Sequence, residues 1–271
     1  MIHSSFQRVL ATTIALALAT PLAQAHSAFF VPSSTVLSKP QWVTIDGGTG
    51  TDMFFFNHGP LRLDGLVVTA PDGSAVAPEN LMIGKVRSVF DLNLTQAGTY
   101  RIANANAGVS ARYKDKATGQ NKGFRGTAAN FEKEVPADAV ELQVNESVSR
   151  LETFVTVGKP SAFTPTGVGL ELIAVTHPND LYSGEEATFA FHLDGQPAAG
   201  LDVEIVPGGI RYRDQIGEIA LKTDAQGRIT VKWPQPGLYR LEVSTRDSKT
   251  TVKQAKERRL GYAVVLEVLS Q

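Results

Sequence analysis

Short runs of β-branched and aromatic residues, separated by turn residues, place the strongest constraint on the fold of this chain. From Gln41 onward they recur roughly every 8–12 residues, a spacing typical of β-sandwiches. Examples are "SVFDLNLTQAGTYRIAN", "EATFAFHLDG" and "RITVKWPQPGLYRLEVS". The pairs Asp72-Gly73 and Asp194-Gly195 suit the positive φ angles of tight hairpin turns. The pattern predicts an all-β protein.

Helical periodicity is nearly absent from the sequence. The best helical segment is "GTAANFEKEVP", which predicts a helix of two or three turns that ends at Pro136.

A weak internal repeat predicts two sandwiches rather than one. Gly98 and Gly237 each precede a tyrosine by two residues, which resembles the tyrosine corner of Greek-key sandwiches. Between the repeats, residues 158–169 ("GKPSAFTPTGVG") have the composition of a linker. We therefore expect two antiparallel, Ig-like or transthyretin-like β-sandwich domains, at residues 26–157 and 170–271.

The first 25 residues have the features of a secretory signal peptide. Arg8 precedes an apolar run, and Ala23-Gln24-Ala25 fits the A-x-A rule for cleavage. The run is shorter than the roughly 20 residues that a membrane-spanning helix needs, and no other long apolar run follows. We expect cleavage after Ala25, a periplasmic location and no transmembrane span in the mature chain.

Composition excludes several classes of function. The 26 basic and 27 acidic residues give no positive surface for nucleic acid, so we expect no nucleic-acid partner. There is no cysteine, so neither disulfides nor thiolate metal sites are available. The motifs G-x-S-x-G, H-E-x-x-H and G-x-x-x-x-G-K-[ST] are absent, and the sequence therefore predicts a protein that is not an enzyme.

Histidines are the remaining candidates for chemistry, and His26 is the most informative. Cleavage after Ala25 would make His26 the first residue, so its α-amine and imidazole Nδ1 could chelate one metal ion. The α-amine, with a pKa of about 8, loses its proton readily at neutral pH. One further imidazole would give a three-nitrogen set that favours Cu(II) over Ni(II) and Co(II).

His58 is the preferred second imidazole, and His177 is a third candidate ligand. His58 precedes Gly59-Pro60, a turn that would place the ring at a sandwich rim where loops meet. His177 precedes Pro178 at a predicted strand exit. A purely structural role is the alternative for each of these histidines.

Three consecutive phenylalanines, Phe54, Phe55 and Phe56, predict a strand that is covered on both faces. Alternation would place Phe55 opposite the other two rings. One side would then be covered by the second domain or by a partner.

Several segments resemble the DUF4198 family of exported bacterial proteins. They are "HSAFFVPSS", "GVGLELIAVTHPNDLYSGEEATFAFHLDG", "TDAQGRITVKWPQPGLYRLEVS" and "RRLGYAVVLEVL". The resemblance implies a periplasmic component of cobalt or nickel uptake, and some descriptions of the family imply a glycosyl hydrolase. Members often begin "HDFWLxPS"; His26, Pro32 and Ser33 fit, whereas Ser27 removes a carboxylate. The second half also resembles transthyretin-like and carboxypeptidase-regulatory sandwiches.

Three hypotheses follow from the sequence. The first is a non-enzymatic periplasmic protein that binds nickel, cobalt or copper for uptake or handling, working with a cell-envelope transporter or an outer-membrane receptor. The second is a metal-independent interaction module of the cell envelope. The third is a carbohydrate-active enzyme, which would need two carboxylates facing one cleft.

Overall fold

The computed structural model describes residues 27–271, and the regular secondary structure of this part of the chain is almost entirely β, which confirms the predicted class. The strands, in chain order, are β1 Ser27–Pro32, β2 Val36–Leu37, β3 Gln41–Gly50, β4 Gly59–Pro60, β5 Leu66–Thr69, β6 Glu79–Ile83, β7 Arg87–Leu94, β8 Gly98–Lys114, β9 Asn121–Gly126, β10 Val140–Val157, β11 Leu170–Ala174, β12 Glu186–Leu193, β13 Gln196–Pro197, β14 Asp202–Pro207, β15 Ile219–Lys222, β16 Arg228–Lys232, β17 Gly237–Asp247 and β18 Arg258–Val268. Helix α1 spans Ala128–Glu134, and a short 3-10 turn spans Ile210–Tyr212.

The strands form three sheets. The first has the order β1-β3-β7-β6, with β4 also paired to β3. The second has nine strands in the order β15-β14-β17-β18-β10-β8-β5, with β2 on β10 and β9 on β8. The third contains β11, β12, β13 and β16. We call them the N-terminal sheet, the central sheet and the C-terminal sheet.

Two apolar cores lie against different parts of the central sheet. The N-terminal core includes Phe30, Ile45, Phe90, Tyr100 and Ile102, all at most 1% exposed. The C-terminal core is built around a second group of large side chains. Its members include Phe189, Phe191, Trp233, Tyr239, Leu241, Tyr262 and Val264.

The two halves are joined by hydrogen bonds between strands of the central sheet. Residues 146–153 of β10 pair in parallel with residues 258–265 of β18. Pairing is otherwise antiparallel, except where β2 meets β10. The central sheet therefore runs through both halves. The division into domains at residues 158–169 stays a prediction; this segment has no regular structure, but Phe163 stacks on Phe154 with ring centroids 4.6 Å apart.

Several local predictions are confirmed. Thr127 caps α1 by accepting a hydrogen bond from the backbone N–H of Asn130, and the helix ends before Pro136. Both tyrosine corners are present. The backbone N–H of Gln96 donates to the Tyr100 hydroxyl, and the Tyr239 hydroxyl donates to the carbonyl of Gln235, each at 2.8 Å.

The predicted strand at residues 54–56 is wrong, because this segment is a loop. Phe54 has φ +61, and the backbone N–H of Phe55 donates to Asp52 in a tight turn. Phe54 and Phe56 both pack edge-on against buried Phe29, at centroid distances of 5.5 and 5.2 Å. Residues of the second half, among them Val206 and Val265, complete this apolar cluster. The loop thus helps to hold the halves together.

Buried charges lie where β8, β10 and β18 meet; we call Arg101, Arg150, Glu152, Glu171 and Tyr262 the junction cluster. Both Nε and Nη2 of Arg101 lie 2.7 Å from Oε1 of Glu152. The Tyr262 hydroxyl donates to the other oxygen of Glu152 at 2.8 Å. Glu152 is completely buried, so these contacts replace the water that it loses on folding.

A second buried carboxylate fastens the segment between the halves to the junction cluster. Glu171 accepts hydrogen bonds of 2.7 Å from the backbone N–H groups of Thr166 and Gly167, and lies 3.8 Å from Arg101. Burial lowers the pKa of Arg101, but the charge of Glu152, its hydrogen bond to Arg101 and the charge of Glu171 oppose it, and the Arg101 pKa is raised. Burial and Glu152 raise the pKa of Tyr262 well above its usual value, so the phenol keeps its proton.

We predict that Glu152→Gln lowers the free energy of unfolding by about 3–5 kcal/mol, because it leaves the buried charge of Arg101 without its closest partner. Glu257→Gln is the matched control. Glu257 forms ion pairs with exposed Arg246 and Arg259, so its loss should cost at most about 1 kcal/mol. Urea denaturation of both variants measures the difference, and equal stability losses would contradict a structural role for the junction cluster.

Candidate functional site

A groove of about 1310 Å³ opens directly above the junction cluster, and we call it the junction groove. Its floor is the face of the central sheet where β8, β10 and β18 lie side by side. Small residues predominate there, so the strands are not covered by bulky side chains; they include Asn106, Ala107, Gly108, Ser147, Ser149, Gly261 and Ala263. Its walls are the loop at residues 58–64 and the segment at residues 125–127.

The charged side chains that line the junction groove are more often positive than negative. Four arginines and two carboxylates line it: Arg62, Arg125, Arg150, Arg240, Asp64 and Glu242. Each carboxylate is paired with the arginine two residues before it. Asn104 donates through Nδ2 to the carbonyl of Arg62, whereas its buried Oδ1 has no donor among the described residues.

The predicted turn at Gly59-Pro60 is wrong, because these residues form strand β4. His58, which precedes them, lines the rim of the junction groove. Its backbone N–H donates to Thr49 of β3 at 3.2 Å, next to the short pairing of β4 with β3. On the other side of β3, Ser27 of β1 pairs with Gly50. Neighbouring strands lie about 4.8 Å apart, so the backbones of Ser27 and His58 are about 10 Å apart across β3.

His26 lies outside the described residues, so its predicted role stays a prediction. The covalent neighbour of His26 is Ser27, the first described residue. The next residue of β1, Ala28, lines the same groove as His58. The strand that follows His26 and the loop that carries His58 therefore reach one groove rim.

His177 occupies a different cavity and takes part in a hydrogen-bond network. Its Nδ1 accepts from the backbone N–H of Asn179 at 3.1 Å. Its Nε2 lies 2.9 Å from the hydroxyl of Thr99 and 3.2 Å from the carbonyl of Ser161. A metal ion could bind either nitrogen only in place of one of these contacts. The prediction that His177 is a ligand is not tested by this geometry.

No set of three or more histidine, aspartate or glutamate side chains is arranged to hold a metal ion within residues 27–271. In the same part of the chain, no helix has the length and apolar character needed to cross a membrane.

Sequence reasoning found the rim histidine but missed the groove and the charged cluster beneath it. The groove floor comes from residues far apart in the chain, such as Asn106, Ser149 and Gly261, which align only through strand pairing. The run of small residues "ANANAGVS" in β8 is the local signal that could have indicated an uncovered sheet face.

We predict that His177 makes folding stability depend on pH below its usual pKa of 6.5. Burial lowers the pKa of His177 in the folded chain, so the unfolded chain takes up this proton first. The stabilisation is therefore complete above pH 6.5 and is lost as the pH falls through the folded pKa. Between pH 6.5 and the lower pKa of His177 in the folded chain, the free energy of unfolding of His177→Gln should fall less steeply with decreasing pH than that of the wild type.

Denaturation of the wild type and of His177→Gln across this pH range, with a chelator present, gives the unfolding free energy of each protein as a function of pH. NMR titration of the His177 ring supplies an independent control. A ring pKa at or above 6.5 in the folded protein, or identical profiles for the two proteins, would contradict the prediction.

Solved structures share only remote likeness with this chain. The D0-D1 domain of intimin is 10% identical, with 88% of this chain and 96% of that chain covered and a TM-score of 0.21. The Escherichia coli adhesin FdeC is 14% identical, with 90% and 63% covered and a TM-score of 0.24. Trypsin-activated alpha-2-macroglobulin from Escherichia coli is 14% identical, with a TM-score of 0.21. The match covers 89% of this chain but only 16% of the macroglobulin chain. Likeness at this level carries no argument about function.

Family membership is established by sequence. No curated protein matches the chain. A family model described as "Domain of unknown function (DUF4198)" matches residues 23–247, which is most of the sequence. The match includes His26, His58 and the groove strands β8 and β10, whereas β18 lies beyond it. The chain belongs to the DUF4198 family.

Proposed function

We propose that this protein is exported to the periplasm and binds a divalent transition-metal ion at its processed N-terminus. The observation that carries the proposal is the register of β1, β3 and β4, which brings Ser27 and His58 to opposite sides of Gly50. A metal ion held by the residue before Ser27 would lie within reach of the His58 imidazole. The protein would act without catalysis, in metal uptake or handling.

The proposed ligands are nitrogen atoms of two residues. Cleavage after Ala25 would give His26 a primary amine, and the amine, the His26 imidazole and the His58 imidazole make three donors. Such a set binds Cu(II) most strongly and Ni(II) and Co(II) less strongly, so the metal that is taken in the cell depends on supply as well as affinity. The polar environment at the rim of the junction groove is compatible with a charged ion.

The junction groove supports a binding role more than a hydrolytic one. Both of its carboxylates, Asp64 and Glu242, are already paired with arginines. Its open floor and excess of arginine favour contact with an acidic partner, and a cell-envelope transporter or an outer-membrane receptor is the proposed recipient of the metal.

One observation supports the alternative function, a metal-independent interaction module. Phe55 is 37% exposed, and the guanidinium carbon of Arg211 lies 3.8 Å from its ring centroid. Tyr212, beside Arg211, is 88% exposed. Phe54 and Phe56, however, are half-buried against Phe29, so the docking surface that the sequence suggested is centred on Phe55, Arg211 and Tyr212.

We predict that metal affinity depends on a free α-amine at His26. Titration calorimetry with Ni(II) and Cu(II) at neutral pH would compare a chain that begins at His26 with one that carries an added methionine, and with His26→Ala. Both changes should lower affinity by more than about tenfold, a loss of about 1.4 kcal/mol or more. Binding to the processed chain should also weaken below about pH 6, as the amine and imidazoles take up protons.

Histidine variants then identify the second residue. His58→Ala should weaken binding by more than about tenfold, whereas His192→Ala, at the end of β12, should leave it unchanged. His177→Gln should also leave it unchanged, because both ring nitrogens already have contacts in the protein. Equal affinities for the processed, methionine-extended and His26→Ala chains would show that the N-terminal histidine has no role, and mass spectrometry of exported protein establishes where the chain begins.

A further inference from the structure

Strand β6 is an exposed apolar strand at the edge of the N-terminal sheet. It stands last in the strand order and pairs with β7 alone. Leu81, Met82 and Ile83 are 47%, 60% and 59% exposed. Proteins usually protect such edges with charges, bulges or a covering element, because unpaired strands recruit other strands.

The free edge of β6 presents its backbone groups at defined positions. The backbone N–H of Gly84 donates to the carbonyl of Arg87 at 2.9 Å, and Met82 lies opposite Val89. Backbone groups alternate in direction along a strand, so those of Met82 and Gly84 face β7. The N–H and C=O groups of Leu81 and Ile83 consequently face away from the sheet. A bulge at Asn80, which has φ +52, limits the regular edge on the other side.

We propose that β6 pairs with β6 of a second copy of this chain, antiparallel and about a two-fold axis at Met82. This register places Leu81 of each copy opposite Ile83 of the other. Each such pair exchanges two backbone hydrogen bonds, so both outward-facing residues of both copies are satisfied. The two N-terminal sheets join into one continuous sheet.

Charge at the ends of β6 selects the antiparallel self-pairing. Glu79 precedes the apolar residues and Lys85 follows them. Glu79 lies just beyond the bulge, and Lys85 lies in the turn that follows β6. In the proposed register, Glu79 of one copy comes near Lys85 of the other, twice by symmetry. A parallel pairing would instead place Glu79 near Glu79 and Lys85 near Lys85, which is unfavourable. The segment is therefore complementary to itself and needs no other protein to explain its pattern.

The area of one strand edge is small compared with stable interfaces, so we expect a reversible dimer whose population rises with protein concentration. Sedimentation velocity over a concentration series of the exported chain would show it. Ile83→Pro removes an outward N–H that serves no bond to β7, so the variant should remain folded and become monomeric. Ile83→Thr keeps that N–H and should still dimerise.

Charge reversal tests the register itself. Lys85→Glu and Glu79→Lys should each raise the dimer dissociation constant by up to about tenfold, because each creates two like-charge contacts. The double variant, Glu79→Lys with Lys85→Glu, should return it to the wild-type value. Circular dichroism and thermal melting check that each variant is folded.

Three results would overturn the proposal. They are a wild-type chain that stays monomeric at every concentration, a folded Ile83→Pro variant that dimerises like the wild type, and a double charge variant no tighter than the single ones. A wild-type chain that does not self-associate but pairs its β6 with a strand of another protein would also overturn the proposal.

Discussion

The contact between Arg101 and Glu152, buried where the two halves meet, is the interaction on which the rest of the arrangement depends. It fixes β8 against β10, and Tyr262 extends it to β18, so one sheet can run through both cores. Removing two charges from water costs free energy, and hydrogen bonds to both carboxylate oxygens of Glu152 offset that cost here. The apolar cluster around Phe29 braces the same junction from the side of β1. Because the strands are locked in this way, their small residues can form the open floor of a groove without a covering layer.

Features that depend on neighbouring residues were predictable from sequence. The all-β class, helix α1, both tyrosine corners and the left-handed Asp194-Gly195 turn all follow from local backbone preferences and local hydrogen bonds. Glu152 and Arg101 gave no such signal, because a charged residue in an alternating strand suggests an exposed face. The three phenylalanines form no strand, although Phe55 does lie opposite the other two rings as alternation predicts. The left-handed turn at Phe54 lets Phe54 and Phe56 share Phe29 and leaves Phe55 beneath Arg211.

The same distinction applies to the candidate site. The sequence predicts a turn at Gly59-Pro60 with His58 at a rim, whereas in the structure these residues form β4. Only the register of three strands shows which chain segment lies next to His58. His177 had a similar sequence context, yet it contacts Thr99, Ser161 and Asn179 beside a separate cavity. The groove rim and the free edge of β6 belong to different strands of the N-terminal sheet, so metal binding and self-association can be tested separately.

The central functional claim is that a metal ion bridges the first residue of the processed chain and His58. Anomalous X-ray diffraction from crystals of the nickel-loaded chain that begins at His26 tests it most directly. The account predicts one strong anomalous peak at the groove rim, in contact with the α-amine and ring of His26 and with the ring of His58. A peak at His177 or another surface histidine, or no ordered peak in crystals grown with nickel, would contradict it.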